Sequence, residues 1–117
     1  MNERAITDAI IRHLKRLRDA GEQVWWFKVA GGPMQTSGIP DLCVVFRGRA
    51  VFLEVKLPRG RTTVLQERRM EEIRRAGGTA VVARSVADVV KAMLREAQAS
   101  RALDGETQCV ESEDDAE

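Results

Sequence analysis

Long apolar runs are missing from this chain. None approaches the roughly 20 residues that cross a bilayer, so a membrane span is not expected. The opening Met1-Asn2-Glu3-Arg4 lacks the basic-then-apolar order of a secretory signal. Cysteine is scarce: Cys43 sits in an apolar run and Cys109 in a polar stretch, which argues against a disulfide framework. Histidine is scarcer still. His13 is alone and there is no C-x-x-C pattern, so a zinc site is not expected. Nor is there an arrangement that would activate a Ser or Cys nucleophile. No segment repeats. These absences point to a cytoplasmic protein.

With 117 residues, 44% of them hydrophobic, the chain has room for one domain and one core. The net charge of +1 hides an asymmetry. Residues 1–100 carry 18 Lys/Arg against 11 Asp/Glu, a net +7, while residues 101–117 carry one Arg against seven acids, a net −6. We therefore divide the chain into a domain over 1–100 and an acidic tail over 101–117, expected to be disordered because it has few large apolar groups and no period. A basic domain suits a polyanionic partner such as nucleic acid, though a solvated surface with a solubilising tail fits the charge as well.

Ile6, Ile10, Leu14 and Leu17 recur at helical spacing, with Asn2 as a candidate N-cap and Gly21 as a stop. Val24 to Val29 is β-branched and aromatic, a strand pattern. Ala30 to Ile39 is a loop rich in glycine, proline and serine. Leu42 to Phe46 is a short continuous apolar run, as in a strand covered on both faces. Arg47 to Arg49 reads as a tight turn and Ala50 to Lys56 as the hairpin partner. After the basic loop Pro58 to Arg61, Thr62 or Thr63 can cap a helix to about Ala76, with Gly77-Gly78 as its stop. Thr79 to Ala83 is a fourth strand, and Ser85 can cap a last helix to about Ala99. The order α-β-β-β-α-β-α implies an α/β fold, a mixed sheet of about four strands flanked by helices.

On the strand Ala50 to Lys56, alternation puts Glu54 and Lys56 on one face, two residues apart at the end of an apolar segment. Such a pair is either a simple ion pair or one put to chemical use, since desolvating either charge is costly. Upstream, Pro40 restricts its own backbone and that of Ile39, which orients Asp41 at the entry to the neighbouring strand. Asp41 alone could be a turn aspartate. If the two strands pair, Asp41 and Glu54 converge, and two carboxylates with water suit a hard divalent cation such as magnesium. Glu3 extends the apolar stripe of the first helix; a first-turn acid favoured by the helix dipole is the alternative. Gln66 lies on the stripe of Met70 and Ile73, where a buried amide needs a partner; a partly exposed amide near the helix start is the alternative. Of Trp25 and Trp26, either could stack on a base, but one core and one edge residue is the commoner arrangement. His13 is expected on the surface.

Together these residues resemble the PD-(D/E)xK nucleases, and within them the stand-alone VRR-NUC domain of phages and bacteria. The likeness is carried by Glu3 on the first helix, Gly38-Ile39-Pro40-Asp41, Glu54-Val55-Lys56, Gln66 on the next helix, and Gly77-Gly78 followed by Val81 to Ser85. It covers about residues 1–97; the acidic tail lies outside it. The resemblance implies a restriction-endonuclease-like core and phosphodiester hydrolysis with Mg2+ or Mn2+. It makes Asp41, Glu54 and the Val55 carbonyl the metal ligands, with Glu3 a ligand directly or through water. Lys56 would position or deprotonate the attacking water or stabilise the transition state. Gln66 would orient Lys56 or its water.

Lys28, Arg59 and Arg61 flank these motifs and are assigned to DNA phosphates, or else to solvated loops. The resemblance further implies a structure-selective DNA endonuclease acting on branched DNA, including Holliday (four-way) junctions, as a homodimer in a bacterial or phage-infected cell. No membrane and no small-molecule cofactor is expected. A flap or restriction-like nuclease would use the same site, and a non-catalytic nucleic-acid-binding module is the reading from another class; such a module has no need of Asp41, Glu54, Lys56 and Gln66 together.

Overall fold

The computed structural model describes residues 2–29 and 37–99. The breakers Gly31, Gly32 and Pro33, and the acidic tail with Cys109, lie outside the described residues. Helix α1 (Glu3–Asp19) begins at Asn2, whose Oδ1 accepts the Ala5 amide at 2.8 Å and so satisfies one of the donors that a first turn leaves free. Strands β1 (Val24–Lys28), β2 (Leu42–Phe46), β3 (Arg49–Val55) and β4 (Thr79–Ala83) form one sheet in the order β1-β2-β3-β4. The first three pair antiparallel and β4 runs parallel to β3. Parallel neighbours need a long crossover, supplied by α2 (Val64–Arg75). A last helix, α3, spans residues 86–99, its start marked by the Asp88 amide donating to Ser85 Oγ at 3.3 Å. The α/β order is the one the sequence implies.

The hairpin between β2 and β3 turns on two residues, Arg47 and Gly48, both at positive φ, 50° and 83°. Paired positive φ angles match the twist of the flanking strands. The turn is thus shorter than the expected Arg47 to Arg49, and Arg49 opens β3. At its far end β3 stops at Val55 rather than Lys56, although the Lys56 amide still donates to the Ala83 carbonyl at 3.0 Å.

Alternation gives the sheet two different faces. Leu42, Val44, Phe46, Val51, Leu53, Val55 and Ala83 join Ile6, Ile10 and Leu14 of α1 and Val89, Ala92 and Met93 of α3 in one apolar core. Val24 and Trp26 pack against it from β1. The other face carries Cys43, Phe52, Glu54 and Ala80, and α2 lies against its β3–β4 side, bringing Gln66 to Glu54. Trp25 and Phe27 sit on the β1 side of this second face, 61% and 42% exposed. The tryptophan pair is therefore divided, Trp26 toward the core and Trp25 toward solvent.

Candidate active site

The β2–β3 register builds the site. Leu42 pairs with Leu53, so Asp41 and Glu54 stand one step further out, at the end of the hairpin away from its turn. Asp41 Oδ2 accepts the Val55 amide at 2.8 Å, and the Asp41 carbonyl accepts the Val29 amide at 2.9 Å. The approach to Asp41 is packed. Pro40 is fully buried. Gly38 has φ 81°, and a Cβ on it would lie 2.8 Å from Leu65 Cγ on the first turn of α2. Glycine is required there by both backbone conformation and space, which places the Asp41 segment directly against the helix that carries Gln66.

Glu54 is 2% exposed. Its Oε1 accepts from Gln66 Nε2 at 2.6 Å and lies 3.9 Å from Lys56 Nζ. The Gln66 amide is held from behind, because its Oε1 accepts the Thr63 amide at 2.8 Å while Thr63 Oγ1 accepts the Gln66 amide at 3.1 Å. This is the capping box of α2. Gln66, expected to orient Lys56 or its water, donates to the Glu54 oxygen that also faces Lys56, because the cap fixes its amide toward the carboxylate. Two donors crowd one oxygen of Glu54, while Oε2 is buried with no partner among the described residues.

The electrostatics are those of two crowded carboxyl groups that Lys56 relieves only in part. Burial pushes the Glu54 carboxyl up from 4.5 to about 7, with Asp41 adding to the rise and Lys56 opposing it. Burial likewise raises Asp41, against the Val55 amide, which lowers it; Glu3 pushes it further up. Both carboxyl groups are therefore harder to ionise than in water, and a cation beside them would oppose that shift.

Asp41, Val55, Glu3 and Lys28 line one open cleft, joined by Arg4 and Thr7 of α1. Arg4 and Thr7 escaped the sequence reading; Thr7 lies four residues after Glu3, the spacing that puts helix side chains side by side, whereas Arg4 is its immediate neighbour and no spacing rule points to it. Arg59 and Arg61 are exposed on the loop after Lys56 and are not part of the cleft wall. Among the described residues, no three His, Cys, Asp or Glu side chains converge to hold a metal by themselves. Glu3 shares the cleft with Asp41 and raises its carboxyl through space. An orphaned buried oxygen on Glu54, a second carboxylate beside it and an all-oxygen donor set fit a hard divalent cation.

The VRR-NUC domain model matches residues 26–87, a span that contains Asp41, Glu54, Lys56 and Gln66. A solved structure described as a VRR_NUC domain protein superposes with a TM-score of 0.66 at 20% identity, over 81% of this chain and 87% of that one; that likeness is one of fold. A second, described as a VRR_NUC domain, has a TM-score of 0.57 at 28% identity, over 72% of this chain and 89% of the other. The comparison with curated proteins gave no match. No helix among the described residues is long and apolar enough to cross a membrane. The matched family model spans more than half of the sequence, with Asp41 and Glu54 inside it, and the chain belongs to the VRR-NUC domain family, a family of nuclease domains.

Proposed function

We propose that this chain is a Mg2+- or Mn2+-dependent endonuclease that hydrolyses phosphodiester bonds in branched DNA, four-way junctions above all, and works as a homodimer in the cytoplasm of a bacterial or phage-infected cell. The observation that carries the metal is Glu54, buried, unpartnered at Oε2 and pressed against Asp41. A carboxylate in that state is costly without a counter-ion. Asp41 and Glu54, with the Val55 carbonyl, would hold the cation. When bound, it lowers the pKa of a ligated water and screens charge on the reacting phosphate.

The chain's own groups divide the remaining work. Gln66 fixes the orientation of Glu54 through a 2.6 Å bond. Lys56, 3.9 Å from Glu54 and 12% exposed, offers an ammonium that can position the attacking water or stabilise the charge that develops on phosphate. Glu3, on the wall of the same cleft, would ligate the cation directly or through water. Lys28 on the cleft wall and Arg59 and Arg61 on the loop offer contacts to phosphates away from the scissile one. A homodimer follows from the substrate: a four-way junction is two-fold symmetric, and a two-fold pair presents two matched sites. Members of the resembled family act on such junctions as homodimers, which supports both assignments.

The test is purified protein on linear, flap and four-way-junction DNA, with Mg2+ or Mn2+ and with excess EDTA, alongside sedimentation at micromolar concentration. Cleavage should require the cation, favour the junction and come from a dimer. Full turnover in EDTA would overturn the metal mechanism. A strict monomer that prefers flaps would replace the junction reading with the flap-nuclease one.

A further inference from the structure

The end of β4 carries an arginine that the proposed chemistry does not use. Arg84 follows Ala83, whose carbonyl takes the Lys56 amide at 3.0 Å, so Arg84 stands beside the start of the loop that leaves the site. Its Nη1 lies 2.7 Å from the Leu57 carbonyl, 2.6 Å from the Gly60 carbonyl and 3.4 Å from the Pro58 carbonyl. The same Leu57 carbonyl accepts the Gly60 amide at 2.9 Å, so the loop is a tight turn wrapped round a guanidinium. Arg84 is itself fixed, because its backbone amide donates to Asp88 Oδ2 at 2.9 Å. Among the described residues it makes no ion pair.

A half-buried guanidinium more often meets a carboxylate. Here it is committed to backbone carbonyls, and the loop it gathers presents Arg59 and Arg61 to solvent. Three like charges would otherwise favour an open, mobile segment, and ordering that segment at the moment of binding costs affinity. Holding the turn in advance removes that cost. The clamp also leaves the positive charge of Arg84 unneutralised at the base of the loop, which favours a polyanion over it.

We propose that Arg84 is a positioning residue, a clamp that holds the Leu57–Gly60 turn so that Arg59 and Arg61 meet the phosphates of bound DNA. The DNA half of this inference rests on the function proposed above; the clamp half does not. The experiment compares wild type, Arg84→Ala, Arg84→Lys, the pair Arg59→Ala with Arg61→Ala, and the triple variant. Amide hydrogen exchange reads the turn, thermal melting reads the fold, and steady-state cleavage with DNA binding across a salt series reads function.

In Arg84→Ala the Gly60 amide should lose about tenfold or more of its protection while the Lys56 amide and the melting temperature hold, as in a local opening. KM for DNA should rise about tenfold with kcat held within about twofold, the pattern of lost ground-state binding. The triple variant should bind no worse than the Arg59/Arg61 pair, since residues acting through one another are not additive. Arg84→Lys should recover part of the Gly60 protection, and it carries the test if Arg84→Ala does not fold. Full Gly60 protection in Arg84→Ala overturns the clamp. Lost protection with unchanged DNA affinity, or losses that simply add in the triple variant, overturn its role in DNA contact. If wild type neither binds nor cuts DNA, the proposed function fails, and Gly60 exchange still decides the clamp.

Discussion

Glu54 and Glu96 are the two buried charged residues among those described, 2% and 7% exposed, and they sit at opposite ends of the same strand pair. Glu96, on α3, takes the Thr79 hydroxyl at 2.5 Å and faces Arg49 at 3.6 Å; these two residues open β4 and β3. Glu54 lies at the other end of β3. It shares one oxygen between Gln66 and Lys56, leaves the other without a partner, and has Asp41 as its neighbour. At one end a buried acid has a hydroxyl and a cation and ties helix to sheet. At the other, a buried acid has an amide and a cation on one oxygen, nothing among the described residues on the other, and a like charge beside it. Burial alone does not distinguish the two; the partners do. The unbalanced end is the one where a missing cation would complete the electrostatics.

The comparison breaks most sharply in catalysis. Asp41→Asn, Glu54→Gln and Lys56→Ala should each lose at least ~10²-fold in cleavage rate if they support transition-state charge, and the Lys56 variant should stay folded. Glu96→Ala should do the reverse. It should lower stability by about 1–3 kcal/mol, because the Thr79 hydroxyl and the Arg49 guanidinium lose their partner, and leave kcat of the folded protein within about twofold. Parallel turnover assays and denaturant melts on the four variants check both halves. A Glu96 variant as inactive as the Glu54 variant would erase the distinction.

A second prediction uses pH on the metal-free protein. Glu54 titrates at about 7 in the fold against an ordinary 4.5. Below pH 4.5 it is protonated folded and unfolded alike, and its burial as a neutral acid is uncharged and tolerated. Between 4.5 and 7 the unfolded chain releases the proton first, so stability should fall as pH rises through that window and level off above it. The contribution is on the order of 3 kcal/mol at the usual 1.36 kcal/mol per pH unit. Asp41, raised in the same direction, adds to the slope. Melting without metal should therefore be higher at pH 5 than at pH 7.5 by more in wild type than in Glu54→Gln, and Mg2+ at pH 7.5 should restore the difference. Equal pH slopes in the two proteins would show that Glu54 is not strained.

The sequence discloses most of this fold because its signals are local. Helical spacing of Ile6, Ile10 and Leu14, the caps at Asn2 and Thr63 and the alternation from Val51 to Val55 set the elements. Two strands separated by a tight Arg-Gly turn have to pair, and that pairing alone brings Asp41 beside Glu54. Contacts between distant segments are not legible in this way. The reach of Arg84 back to Leu57 and Gly60 spans more than 20 residues and leaves no periodic trace. The close approach of Gly38 to Leu65 has no local signature, and the cleft-side placement of Arg4 and Thr7 depends on how α1 meets the sheet. The element ends moved by one residue at Arg49 and Lys56, since the turn type, set by two positive φ angles, decides where pairing starts.

The smallest effect belongs to Thr63, where the stability of a helix and the orientation of a site residue depend on one hydroxyl. Thr63 Oγ1 accepts the Gln66 amide at 3.1 Å, and Gln66 Oε1 accepts the Thr63 amide at 2.8 Å. That second bond settles which end of the Gln66 side chain faces Glu54: its oxygen is taken, so its amine points to the carboxylate. Thr63→Ala removes the hydroxyl and should cost about 1 kcal/mol, the usual loss at an N-cap. Thr63→Ser, which keeps the acceptor, should cost less. If the cap acts only on the helix, the alanine variant loses stability and leaves kcat at saturating metal untouched. If it also fixes Gln66, a freed amide holds Glu54 less firmly, and the variant should need more Mg2+ for half-maximal cleavage by a few-fold, with serine restoring it. A magnesium titration of the three proteins, at a temperature where all are folded, separates the two. Identical metal requirements would confine the capping box to structure and leave Gln66 to be oriented by Glu54 itself.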